Sequence, residues 1–152
     1  MPELAVLVSL AALGVLTLVT IAGFSLRAFG APASAPDRLV AELRLAQIGA
    51  LVLALTAGVS VGLALAHTDR PELAVEVALG GMMFLVAAVA LFQEPRLALT
   101  LVALGFAGHA VTDVMHRPGM LDADVAGQWY FFGGACLDVV VGSLCYLPLL
   151  KR

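Results

Sequence analysis

Five apolar stretches of about twenty residues, each closed by a proline or a group of charges, limit what this chain can fold into. A hydrocarbon core of about 30 Å takes roughly 20 helical residues to cross, and within it each backbone polar group must be satisfied inside the helix. The stretches fall near 4–29, 44–67, 73–93, 97–116 and 128–150. Pro32 and Pro36 separate the first two, with the charged residues Asp37, Arg38, Glu42 and Arg44 behind them. Asp69-Arg70-Pro71-Glu72 and Glu94-Pro95-Arg96 form the next two breaks, and Arg117-Pro118-Gly119 opens a last loop that also holds Asp122 and Asp124. Each break is helix-breaking or strongly polar. The expected fold class is all-α: a polytopic membrane protein, a five-transmembrane-helix bundle forming one integral membrane domain over residues 1–152.

Composition agrees, at 62% hydrophobic and 12% charged residues, where a soluble domain averages about 45–50% and about 25%. No basic cluster is present, which excludes nucleic acid and leaves the lipid bilayer as the first partner. The first stretch carries Glu3 instead of basic residues and is far longer than the roughly 7–15 residues of a signal core. It reads as a retained helix, although Ala31-Pro32-Ala33 offers a small-residue cleavage pattern. With the amino terminus outside, Arg27, Arg38, Arg44, Arg96, Lys151 and Arg152 fall inside, against Arg70 and Arg117 outside. Six against two gives N-out, C-in by the positive-inside rule. The expected location is the cytoplasmic (inner) membrane of a prokaryote.

Short echoes suggest an internal duplication. Pro2-Glu3-Leu4-Ala5-Val6 recurs as Pro71-Glu72-Leu73-Ala74-Val75, and Arg44-Leu45-Ala46 as Arg96-Leu97-Ala98. The returning helices end at His67 and His116, each followed by an Arg-Pro pair. Two tandem helical hairpins plus a fifth helix would give this pattern, as parallel repeats do in transporters; chance in an Ala/Leu/Val-rich chain would also give it.

His109, Asp113 and His116 stand on the fourth stretch at spacings of four and seven. At about 100° per residue, Asp113 lies roughly 40° from His109 and His116 roughly 20° the other way, so all three share one face. Ionisable groups at membrane depth cost about 2.5–3.5 kcal/mol each at the helix centre and persist where they pair, bind or line water. The topology adds His67, Glu76 and Asp138 on the outer side, with His109 and Asp138 roughly 10 and 15 Å below the surface. All membrane-depth acids and histidines thereby fall in the outer leaflet. Gly134 and Gly142, each four residues from Asp138, would let a neighbouring helix approach it. Thr56, Ser60 and His67 form a polar stripe on the second helix.

His109, Asp113, His116, Asp138 and His67 supply ligands suited to a divalent metal ion, zinc or iron foremost. Asp113 and Asp138 are the candidate catalytic carboxylates. A zinc ion held there would activate water against a lipid-like or other small-molecule ligand entering from the membrane. In a haem alternative, His67 and His109 or His116 would bind the cofactor as axial ligands. Two other classes compete: a proton- or ion-coupled transport component titrating through His109, Asp113 and Asp138, and an accessory subunit of a homo-oligomer or larger membrane complex, with a structural polar cluster.

Three histidines with aspartates and a serine near one leaflet resemble the seven-helix membrane hydrolases that include the alkaline ceramidases. Five spans and a different motif order set this chain apart from them. Cys136 and Cys145 lie nine residues apart on the last stretch, on opposite faces, and read as small buried residues. They form no CxxC pair of the kind that vitamin K epoxide reductase-like bundles need. Gln128-Trp129-Tyr130-Phe131-Phe132 reads as an aromatic belt at the outer interface.

Overall fold

The computed structural model of the chain describes residues 2–32, 34–69, 71–117, 120–121 and 128–151, with side chains from residue 8 onward. Expectations that rest on Ala33, Arg70, Pro118, Gly119, Asp122, Asp124 and Arg152 lie outside the described residues, as do the side chains of the Pro2–Val6 repeat copy.

Five helices account for the described chain: α1 (Pro2–Gly30), α2 (Pro36–Ala66), α3 (Leu73–Leu91), α4 (Pro95–Met115) and α5 (Gln128–Tyr146), with a final 3₁₀ turn over Leu147–Leu150. All five are long and apolar enough to cross a membrane. Among the described residues there is no strand, only an isolated bridge between His116 and Leu121. Proline starts both α2 and α4, where its fixed φ suits the first turn and its missing N–H goes unneeded.

The start of α2 departs from the expected boundary. The helix begins at Pro36 instead of near 44, and its 31 residues make it about 46 Å long. Asp37, Arg38, Glu42 and Arg44 are therefore helical, and Arg38 and Glu42 are buried. Arg38 Nε donates to Glu42 Oε1 at 2.9 Å, and Arg38 Nη2 donates to the carbonyls of Pro148 and Lys151 at 3.2 and 2.6 Å. The charges expected at the boundary of this end thus include a buried acid, Glu42.

Helix α2 packs against α1, α3 and α4, and α4 packs against α2, α3 and α5, while α1 closes against α5 and the 3₁₀ turn. Ser25 Oγ on α1 donates to the Leu144 carbonyl on α5 at 2.6 Å. The core holds Leu45, Leu53, Leu99, Val102, Phe106 and Val141 among small alanines. Leu16, Val19, Leu26, Leu55, Leu85 and Phe132 face outward, a distribution costly in water and suited to lipid. Small residues set the helix spacing: a Cβ on Gly105 of α4 would run into Leu53 of α2. Of the two cysteines, Cys145 is buried as expected and Cys136 is exposed.

Candidate functional site

The end of the bundle where α4 stops and α5 starts gathers most of the remaining buried polar groups. His109 and Asp113, one turn apart on α4, face Asp138 on α5, and all three are buried. His109 Nδ1 lies 2.6 Å from Asp138 Oδ2 and 3.9 Å from Asp113 Oδ1. One ligand atom from each residue falls within 4.8 Å of the other two.

Close helix approach creates this contact. A Cβ on Gly134 of α5 would collide with the Asp113 carboxylate in its present position, so glycine there leaves room for that carboxylate against α5. Two turns along, a Cβ on Gly142 would stand 3.2 Å from Phe106 Cβ and 3.3 Å from the Ala103 carbonyl, both on α4. The pair of glycines around Asp138 acts as the sequence suggests, along the whole α4–α5 seam.

The other edge of the His109 ring points away from this group. Nε2 lies 3.1 Å from Ser60 Oγ on α2, and Ser60 Oγ also lies 3.1 Å from the Thr56 carbonyl of its own helix. A serine hydroxyl has one proton to give. If that proton goes to Thr56, Ser60 accepts from Nε2–H; if it goes to Nε2, the ring carries its proton on Nδ1, toward Asp138. The imidazole thus links α2 to α5 in either arrangement, with Ser60 as a partner the spacing on α4 could not reveal.

His116 does not join the three. It follows the last residue of α4, with φ −73° and ψ 77°, and its ring stacks on Phe131 at 3.9 Å and 4°. Its Nδ1 lies 2.9 Å from the Thr112 carbonyl, and its Nε2 lies 3.9 Å from Glu76 Oε1 on α3. His67 is exposed beyond the end of α2, its Nδ1 3.0 Å from the Leu63 carbonyl, and it too stands outside the group. The two helix-ending histidines occupy different environments, His116 buried and His67 exposed.

Ser60, Glu76, His109, Thr112, His116 and Phe131 border a cavity of about 20 Å³. That space suits one water molecule, which needs about 10–15 Å³ and two to four polar partners. His67, the shared member of the haem pairs expected from the sequence, does not border this cavity, whereas His109 and His116 do. Phe131, expected in the aromatic belt, is buried against His116, whereas Trp129 and Phe132 are exposed.

In comparisons with known proteins, the chain matches no family model, no curated protein and no solved structure.

Proposed function

We propose that this is an integral membrane protein whose His109/Asp113/Asp138 group binds a divalent metal ion. The observation that carries this reading is the charge of a buried cluster. Two carboxylates and one imidazole from two helices offer ligand atoms within 4.8 Å of one another. With both carboxylates ionised they exceed the imidazole by at least one negative charge, which a proton on one of them or a bound cation would balance. Burial makes an uncompensated charge expensive, and a cation supplies what the side chains lack. One nitrogen and two carboxylate oxygens suit zinc, iron(II) or manganese(II).

Binding requires a small rearrangement. Ligand atoms around a metal at 2.0–2.2 Å lie about 3–3.5 Å from one another. To hold an ion, the 2.6 Å contact between Nδ1 and Asp138 would have to open slightly, with loss of any proton between them, and the 3.9 Å separation from Asp113 would have to close. Nε2–H then donates to Ser60, and Ser60 to Thr56, which fixes the ring as outer partners of metal-bound histidines do. Three protein ligands leave coordination positions open for water or a small-molecule ligand, as in catalytic metal sites. The distribution of lysine and arginine supports placing the site on the extracytoplasmic side of a cell membrane.

The test is calorimetric titration of metal-stripped protein in detergent with zinc, iron(II) and manganese(II). The reading expects one ion per chain and at least tenfold weaker binding in Asp113→Asn and Asp138→Asn, as loss of a ligand demands. Equal binding by wild type and both variants would remove the site.

One observation favours a second reading. Ser60 Oγ, His109 Nε2, His109 Nδ1 and Asp138 stand in the order of nucleophile, base and orienting carboxylate, at 3.1 and 2.6 Å. A membrane-embedded acyl hydrolase would use that order. The readings exclude each other at one atom: a metal on Nδ1 leaves the ring proton on Nε2, which then cannot accept the serine proton.

A further inference from the structure

The opposite end of the bundle holds a second polar feature that the metal site does not use. A cleft of about 540 Å³ opens between the start of α2 and the start of α4, bordered by Ser34, Arg38, Glu42, Glu94 and Arg96. Its volume lies within the range of small-molecule sites, about 300–1,000 Å³. We propose that this cleft binds a phosphate group, with Arg38 and Arg96 as its cationic ligands.

Arg38 carries the argument. Its side chain is 4% exposed, with Nε on Glu42 and Nη2 on the carbonyls of Pro148 and Lys151. Nη1 is buried with no hydrogen-bond partner among the described residues. A buried guanidinium nitrogen without an acceptor costs about 1–3 kcal/mol or more. Arg38 borders the cleft, and a shift of its guanidinium toward it would let a phosphate oxygen pair with Nη1. Arg96, half exposed, anchors Nη2 on the Leu149 carbonyl at 3.1 Å and leaves its Nη1 3.9 Å from Glu42. Arginine is the side chain best matched to phosphate oxygens, through its planar fork of donors.

The surrounding backbone and charges favour an anion. Both α2 and α4 start at the cleft, behind Ala35 and Glu94, and neither start has a side-chain cap. Uncapped helix starts offer N–H groups and the positive end of the helix dipole to phosphates. The cleft itself is lined by two arginines, Arg38 and Arg96, and two glutamates, Glu42 and Glu94, within an end of the bundle that also carries Arg27, Arg44 and Lys151 against Asp37. The Glu42 carboxylate is already engaged by Arg38, and Glu94 is exposed at the rim. The phosphate could belong to a lipid headgroup at the membrane surface or to a free phosphate or its soluble ester.

Native mass spectrometry of the delipidated full-length protein tests this with three probes: short-chain phosphatidylglycerol, inorganic phosphate, and a diacylglycerol of the same chain length. The expected result is a one-to-one adduct with phosphatidylglycerol, with phosphate or with both, and none with diacylglycerol. Binding should fall about tenfold or more in Arg96→Gln and Arg38→Gln, as loss of a charged hydrogen-bond donor implies, and stay unchanged in Arg117→Gln at the other end. Phosphatidylglycerol alone assigns a lipid source; phosphate alone assigns a soluble one. If Arg38→Gln fails to fold, Arg96→Gln decides. No adduct, equal binding of diacylglycerol, or an adduct indifferent to Arg96→Gln would overturn the proposal.

Discussion

Nδ1 of His109 on α4 lies 2.6 Å from Oδ2 of Asp138 on α5, and this contact joins the two helices at the centre of the buried polar group. Around it the molecule puts Asp113 on one side and Ser60 on the other.

The glycine seam should matter to metal binding although no glycine is a ligand. Gly134→Ala puts a methyl group into the Asp113 carboxylate, so it should weaken metal affinity about 10–100-fold, the range for residues that position ligands. Gly133→Ala, where nothing lies within 4 Å, should bind as wild type does. Titration of the two variants side by side measures the difference.

Much of this arrangement is legible in the sequence, and its limits have a physical cause. The i, i+4 spacing of His109 and Asp113 and the glycines flanking Asp138 place these residues correctly, because all of them lie well inside regular helices. His116 has the same face on a helical wheel, yet α4 ends at Met115 and the next residue leaves the helical path. His67 likewise follows the end of α2, with φ −129° and ψ 67°. A wheel predicts direction only as far as the helix continues. Arg38 and Glu42 failed in the opposite sense: read as loop charges, they sit in the opening turns of α2, and their i, i+4 spacing was the available signal.

The Arg38–Glu42 pair should behave as a buried pair does. Arg38→Met leaves Glu42 buried without its main cationic partner and should cost about 3–5 kcal/mol of stability. Arg38→Met combined with Glu42→Leu should recover most of that loss, since it removes both charges together. Unfolding in mixed micelles of the two single variants and the double variant gives the coupling energy directly.

Metal binding should release protons. For Nδ1 to bind an ion, any proton it shares with Asp138 must leave, so affinity should fall as the pH is lowered. Calorimetry in buffers of different ionisation enthalpy should show about one proton released per ion bound, and a release of zero would place the ion elsewhere.

Ser60 separates the metal reading from the hydrolase reading. With Nε2–H donating to Ser60, the serine should resist a fluorophosphonate probe in metal-loaded protein, and Ser60→Ala should weaken metal binding by about 10-fold at most. Modification of Ser60 that disappears in His109→Ala and Asp138→Asn would instead establish the nucleophile–base order.

Elemental analysis of the purified protein, expressed without added metal and washed free of loosely held ions, tests the central claim most directly. The account predicts close to one zinc, iron or manganese ion per chain in wild type and a near-complete loss in the double variant Asp113→Asn, Asp138→Asn, with both proteins folded. Metal-free wild-type protein that also fails to take up any of the three ions would contradict it.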